Sequence, residues 1–489
     1  MTLAMLLIPL VAAALMLLTR SVGWHSALAF MSGVATFVVS LLLPGDPGIS
    51  LLWIPIFGVY FELNPLGAAS VMCVSASLVM VPTLLYAAQK VTDRRAAFMA
   101  LLLTMQASLN GIFLAKDLVM FYLFWEVTLI ASVLLLGIWG REKRRQAALK
   151  YLLYMVTGSF FMLVSILAIK PLSGAASYRV ADLLAATTQL DVATQTWLFL
   201  GFVLAFCAKL PMWPLHSWLP DVHENNHPSG VADVAGSLYK AGGLGFFAWA
   251  IPLMPEGAKV VAPILMYLAA FTAVYCAVIA TAQTDLKRLL AYASLSHMGI
   301  VGVGVFGLHI VGLQGAIFLL AAQMLTTGGM FLISGILYER KRTFHLDKYG
   351  GLAKSAPALA AVSLFILFAS IGVPGLANFP GEFMSLMGGF QSNPWLASFA
   401  TLAVIAAGVY GVNLYQRLYQ GEQTEATWDL KPLEVLLVVP VIAGILWLGL
   451  APNPQLERIA DQARLVERSL TMSQPPTEPD GQITLGEQP

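Results

Sequence analysis

Charge is what this sequence lacks. Asp, Glu, Lys and Arg make up 11% of its 489 residues, against 58% hydrophobic residues. That balance excludes an ordinary soluble enzyme and places the chain among multi-pass membrane proteins. The net charge is +1 and the basic residues are scattered, so there is no footprint for nucleic acid. Cysteine is scarce as well: Cys73, Cys207 and Cys276 stand far apart in apolar runs, without a CxxC pair or a neighbouring histidine. They read as packing residues rather than as zinc or iron–sulfur ligands. The first apolar stretch, 3–19, lacks a basic leader and is followed by no small-residue cleavage site before the next hydrophobic segment, so a retained first helix is expected. No Walker motif, haem-ligand pair or flavin signature occurs. GVGVFG at 302–307 matches a dinucleotide fingerprint by letter only, because it lies in an apolar helix with no strand before it; helix packing is the expected use of these glycines. No cofactor or metal is therefore expected on this chain.

What is present is a series of apolar runs of about 17 to 25 residues, each long enough to cross a hydrocarbon core. They fall near 3–19, 24–43, 68–89, 96–114, 118–139, 148–169, 196–214, 231–253, 260–281, 287–308, 312–337, 357–390, 396–419 and 433–452. The expected fold is thus all-α, with about fourteen transmembrane helices. If the N-terminus is outside, 18 of the 27 Lys and Arg residues fall in inner loops and flanks, seven in outer ones, and two within spans. This positive-inside bias predicts both termini on the outer side.

Two spans carry helix-breaking prolines: Pro211 and Pro214 in AKLPMWPLHSWLP, and Pro374 and Pro380 in GVPGLANFPGEF. Broken helices belong where they line a cavity. They lie five spans apart, an odd offset that reverses the direction of crossing, as two inverted five-helix repeats require. The predicted organisation is N-terminal helices over 1–115, a first half over 116–253, a second over 260–420, a last helix over 421–454 and a polar tail over 455–489. Within that tail, 455–472 reads as one amphipathic helix and the remainder as a flexible tail.

Four charged residues stand out within these spans, away from the flanking loops: Glu126, Lys209, Lys240 and Glu382. An ionised group at the bilayer centre costs about 2.5–3.5 kcal/mol on insertion scales, so such groups face a bundle interior or a wet cavity and usually act. At 1.5 Å per residue, Glu126, Lys240 and His297 fall roughly 12–15 Å from the nearer counted end of their spans, and Lys209 about 20 Å from the outer end of its own, beside the break. Similar depths point to a file parallel to the membrane plane. Whether a desolvated lysine keeps its proton depends on a facing carboxylate. Glu126 and Lys209 are the expected pair, with Lys240 and His297 as relay groups and Glu382 beside the second break. A static ion pair fixing helix packing is the plainer alternative for the first two.

Histidines and loop charges are more ambiguous. His216, His223 and His227, with Asp221 and Glu224, include an i, i+4 pair in HENNH, but not in the HExxH order, so metal binding is set aside. Proton uptake from the inner side, through His216, His223 or Lys287, or simple loop packing is expected there. For Asp285, Lys287 and Arg288 interfacial anchoring is the simpler reading. Lys116 and Asp117 read as a structural pair on the outer surface.

Taken in order, FYLFWEVTLIAS, AFCAKLPMWPLHSWLPDVH, SLYKAGG, DLKRLLAYASLSHMG and GLANFPGEF resemble one family, the antiporter-like proton-translocating subunits of respiratory complex I. The carboxylate at Glu382 resembles the M-type branch; L-type and N-type relatives typically carry lysine there. The resemblance implies a proton-pumping subunit of a bacterial NADH-quinone oxidoreductase, in the cytoplasmic membrane. It would be driven by quinone reduction elsewhere, with FMN, iron–sulfur clusters and quinone on partner subunits and L-like and N-like subunits as neighbours. It further implies Glu126 as the modulating acid, Lys209 as the switch, Lys240 and His297 as the relay and Glu382 as the outlet-side group. Span eleven, AAQMLTTGGM, lacks a histidine found in some relatives, so a water-dependent link between His297 and Glu382 is expected. A multisubunit cation/proton antiporter and a non-transporting scaffold are the rival functions.

Overall fold

A computed structural model describes residues 1–19, 21–237, 240–422 and 425–472; the expected flexible tail after 472 lies outside them. In chain order the helices begin with α1 (Ala4–Leu18), α2 (Val22–Leu41), α3 (Ala68–Lys90), α4 (Arg95–Leu114), α5 (Leu118–Trp139), α6 (Arg144–Ser173) and α7 (Val180–Thr187). There follow α8 (Val192–Lys209), α9 (Trp218–Asn225), α10 (Val231–Ser237), α11 (Ala241–Gly245), α12 (Ile251–Leu253), α13 (Pro255–Thr281) and α14 (Leu286–Phe306). The series closes with α15 (Ile310–Lys341), α16 (Pro357–Ser370), α17 (Asn378–Ser392), α18 (Pro394–Tyr419), α19 (Pro432–Leu450) and α20 (Asn453–Met472). Among the described residues, eleven of these are long and apolar enough to cross a membrane. The other three expected spans correspond to the shorter α1, to the pieces α10–α12, and to the pair α16 and α17.

Both proline-marked spans are broken. After α8 the chain turns through 210–217, where the Trp213 amide donates to Thr272 Oγ1 at 2.9 Å and the Trp218 indole to the Ala208 carbonyl at 3.0 Å. These bonds occupy backbone groups that an intact helix would have used itself. Between α16 and α17 the turn passes through Gly372 and Gly375 at φ +77° and +88°, and the Asn378 side-chain amide donates back to the Ser370 carbonyl at 2.9 Å. Span eight, expected as a plain helix, carries a π turn at Phe246–Ala250 between α11 and α12. The sequence also gave no warning of an antiparallel hairpin, β1 (Ile49–Ile54) with β2 (Val59–Leu63), that closes on Gly58 at φ +65°.

Helix starts follow local capping. Asp117, Asp191, Asp285 and Asn393 each accept from backbone amides in the first turn of α5, α8, α14 and α18. Two of the loop acids are placed by this. Asp117 is buried, capping α5 and accepting from the Tyr60 amide at 3.0 Å, rather than forming a surface pair with Lys116. Asp285 caps α14, accepting from the Arg288 amide at 3.1 Å.

The core centres on α15, whose most apolar stretch is 100% buried within the chain. By contrast α1, α2, α6 and α18 present large apolar side chains outward, among them Leu17, Trp24, Phe160 and Ile405, the surface expected to meet lipid. The 302–307 glycines work in packing: Gly302 faces Ala269 of α13, Gly304 faces Gly312 and Ser385, and Gly307 faces Gly389, each too close to take a Cβ without a shift. One ion pair ties the C-terminal end of α15 to the N-terminal end of α19, where Arg340 donates to both Glu434 oxygens at 3.1 and 2.9 Å, with side chains 0% and 6% exposed. Removing one partner strands a buried charge, so Glu434→Ala is expected to lower stability by about 3–5 kcal/mol. Thermal unfolding in detergent checks this, and Arg340→Met/Glu434→Leu should recover most of the loss.

Candidate proton-relay site

Of the five groups expected to form the file, Glu126, Lys209, His297 and Glu382 stand on helices and Lys240 in the turn before α11; Lys209, Lys240, His297 and Glu382 are buried and Glu126 half-buried. Lys209 is the last residue of α8, at the lip of the first break, and is 2% exposed. Its ammonium donates to Thr128 Oγ1 of α5 at 2.8 Å and lies 3.9 Å from the Trp125 ring centroid. Those two residues flank Glu126, whose carboxylate acts on the ammonium electrostatically. Glu126 itself is half-buried, with one carboxylate oxygen shielded from water and the Tyr122 hydroxyl beside it. A cation held by a hydroxyl and an aromatic face, with an acid one residue away, has its charge balanced without being locked into a bidentate pair.

Lys240 stands just before α11, in the interrupted span eight, and is 5% exposed. It donates to Gln323 Oε1 at 2.7 Å and Thr327 Oγ1 at 3.2 Å, both on α15. One residue from Thr327, Thr326 donates to Asn378 Oδ1 at 3.1 Å, so α15 touches both Lys240 and the start of α17.

His297 of α14 and Glu382 of α17 meet directly. Nδ1 lies 2.8 Å from Glu382 Oε1, though off the hydrogen-bonding direction, and Nε2 lies 3.3 Å from the Tyr410 hydroxyl. This corrects the expected water-dependent link: the α17 carboxylate itself reaches the imidazole. Room for it comes from Gly372, where a Cβ would overlap Glu382 Oε2.

Of the inner-side candidates, His216 is buried and packs edge-on against Tyr275 at 5.7 Å. His223 and Lys287 converge on Asp233 of α10, which the sequence reading passed over. His223 Nδ1 is 2.9 Å from Asp233 Oδ1, Asn226 Nδ2 donates to the same oxygen at 2.9 Å, and Lys287 Nζ lies 2.6 Å from Oδ2. Asp233 and Lys287 are both 0% exposed. Its signal was available, since Asp233 is an acid inside the eighth apolar run, seven residues before Lys240. His227, in the turn before α10, bonds Ser229 Oγ at 2.8 Å instead, and burial, with the Lys287 ammonium beside it, pushes its imidazole down to about 4. Asp221 and Glu224 pair with cations of neighbouring helices: Arg288 Nη1 reaches them at 3.2 and 2.6 Å, and Lys150 meets Asp221 at 2.7 Å. The neutral members Thr128, Gln323, Thr327 and Tyr410 were not found by sequence, because hydroxyl and amide side chains in apolar helices commonly bond their own backbone.

Residues 115–407 match the family described as NADH:quinone oxidoreductase/Mrp antiporter, TM. The chain is 40% identical over 455 residues to NADH-quinone oxidoreductase subunit 13 of Thermus thermophilus, covering 91% of this chain and 94% of that one. It is 36% identical over 456 residues to subunit M of Rhodobacter capsulatus, covering 89% and 88%. Among solved structures, a chain of respiratory complex I from Thermus thermophilus with bound NADH superposes with a TM-score of 0.92 at 38% identity, covering 96% of this chain and 100% of that one. A chain of the Mrp complex from Dietzia sp. DQ12-45-1b shares the fold, with a TM-score of 0.82 at 19% identity, over 96% and 98% of the two chains. The chain belongs to the NADH:quinone oxidoreductase/Mrp antiporter family, and within it to the subunit M group of NADH-quinone oxidoreductase.

Proposed function

We propose that this membrane-arm subunit of NADH-quinone oxidoreductase translocates protons along a lateral file of Glu126, Lys209, Lys240, His297 and Glu382. The observation that carries the reading is the contact of His297 with Glu382, two ionisable side chains 2% and 5% exposed, at the second helix break. Groups buried at that expense without a transport role are rare. In this scheme Glu126 modulates the charge on Lys209, and Lys209 is the switch. Lys240 and His297 pass the proton on across the polar face of α15, and Glu382 releases it on the outer side. Repulsion between successive cations moves the charge, since two ammonium groups close together in a low-dielectric interior cannot both stay protonated. The bacterial cytoplasmic membrane is the proposed location, with both termini on its outer face, the two halves as inverted repeats, and L-like and N-like subunits as neighbours.

Exporting a proton against the membrane potential costs about 2.3 kcal/mol per 100 mV, so the driving reaction has to come from elsewhere in the assembly. We place FMN, iron–sulfur clusters and quinone on partner subunits. The test is Glu126→Gln in the assembled complex, reconstituted in vesicles with assembly checked on native gels. Protons moved per quinone reduced should fall by this subunit's share, while quinone reduction continues. Undiminished output from an assembled variant would sink the relay.

A further inference from the structure

At the end of the bundle where α4 stops and α3 and α5 start, a cavity of about 520 Å³ lies between the end of β2, α7, the π turn of span eight and α20. That volume falls in the range of small-molecule sites, roughly 300–1,000 Å³. We propose that the cavity holds one anionic phospholipid, with its phosphate between Lys116 and Arg458 and the start of an acyl chain on the apolar wall. The inference is independent of the relay and goes beyond it.

The charges decide the sign of the ligand. Four charged residues line the cavity, Glu62, Lys116, Arg458 and Asp461. Both acids already have cations of their own: Arg179 donates to the two Glu62 oxygens at 2.6 and 3.2 Å, and Arg464 donates to Asp461 at 3.0 Å. The two cations are left over. Among the described residues, neither the Lys116 ammonium nor the Arg458 guanidinium has a hydrogen bond or an ion pair, although the main chain of Lys116 is fixed on both sides, to Glu62 and to Val180. With Arg179 and Arg464 counted beside their acids, the site carries two uncompensated positive charges. Burial pushes the pKa of the Lys116 ammonium down, and the Glu62 carboxylate opposes this; a bound anion opposes it further. A phosphate diester supplies the acceptor oxygens that both donors lack. A zwitterionic headgroup brings a cation of its own into a site that already has two.

The walls decide that the anion is a lipid. Val180 and Leu184 of α7, Phe247 and Pro252 of span eight, and Leu465 and Val466 of α20 supply apolar surface, and a free phosphate has nothing to place against it. Leu66 and Leu465 are 63% and 62% exposed, so the apolar surface continues from the cavity outward. α20 is itself amphipathic, burying Ile459, Ala463, Val466 and Leu470 at helical spacing, the pattern of a helix that lies in the plane of the interface. The Ala68 amide donates to Gln462 Oε1 at 3.2 Å, which holds α20 against the start of α3. The cavity thus stands at the level of the helix ends, where a spanning bundle meets the phospholipid headgroups.

The experiment places the whole complex in vesicles that contain phosphatidylglycerol with a photoactivatable acyl chain, and maps the labelled peptides. Label is expected on segments carrying Leu184, Phe247 or Leu465. Unlabelled phosphatidylglycerol should displace it, whereas phosphatidylcholine and inorganic phosphate should not. Lys116→Gln/Arg458→Gln, in complex whose assembly is confirmed by native gel, should weaken binding about 30-fold, the loss expected for two cations. Lys116→Arg/Arg458→Lys keeps both charges and should bind as the unaltered chain does. Leu184→Trp leaves the cations in place but fills the apolar wall, and it should exclude the lipid too. If the neutral double variant does not assemble, Leu184→Trp and the competition on the unaltered complex decide. Undiminished labelling of the assembled neutral variant, or equal displacement by phosphatidylcholine, overturns recognition of the anion. Displacement by inorganic phosphate, or full labelling of Leu184→Trp, overturns the lipid. Label confined to other segments overturns the site itself.

Discussion

Lys209→Ala should abolish this subunit's share of proton output without weakening the protein. The two halves of that expectation come from the same geometry. Lys209 is 2% exposed, and its ammonium donates to the Thr128 hydroxyl and lies over the Trp125 ring. Losing those contacts forfeits about 1–3 kcal/mol. Removing a buried charge also relieves a desolvation cost of several kcal/mol, so thermal stability in detergent should hold or rise. Transport should behave differently. Alanine leaves no protonatable atom at the lip of the α8 break, and Glu126 then has no lysine there whose charge it can set. The measurement pairs unfolding temperature with protons per quinone reduced, on complex whose assembly is confirmed by native gel. A scaffold role gives normal output from an assembled variant, and that result would remove Lys209 from the mechanism.

The second large effect is expected from a residue with no polar side chain at all. Gly372 sits in the break between α16 and α17 at φ +77°, a conformation that side chains with a Cβ rarely adopt, and a Cβ there would overlap Glu382 Oε2. Gly372→Ala therefore strains the turn by about 1–3 kcal/mol and pushes the carboxylate away from His297. Output should fall as far as it does in Glu382→Gln, although every ionisable residue is intact. Glu382→Asp in the Gly372→Ala background shortens the acid and is the natural attempt at rescue. If Gly372→Ala lowers the unfolding temperature but leaves output unchanged, the His297 to Glu382 distance does not control transfer.

Much of this was legible in the sequence because the membrane makes some residues conspicuous. A lysine or glutamate in an apolar run stands out against its surroundings, and so do prolines inside a span; these marked Lys209, Lys240, Glu382 and both breaks. The same logic should have flagged Asp233. It was passed over because it stands near the start of its run, and its partners His223 and Lys287 lie on other helices, at distances in sequence that reveal no pairing. Gln323, Thr327 and Tyr410 were hidden for a different reason: neutral polar groups are common in buried helices and reveal a role only through what they touch. The hairpin at 49–63 was likewise invisible, since two short strands between long helices have too little periodicity to separate them from a loop. The π turn in span eight left only the glycines after Lys240 as a trace.

α15 meets protein on all sides, and it carries the Gln323 and Thr327 contacts to Lys240 as well as the Thr326 contact to Asn378. A helix with no lipid neighbours is insulated from changes in bilayer thickness and composition, which act on outward-facing helices such as α6 and α18. The spacing between the two halves of the file is thus set by α15 as by a fixed ruler. Lipid composition can tune the rim of this subunit while leaving the middle of its proton path at constant gauge.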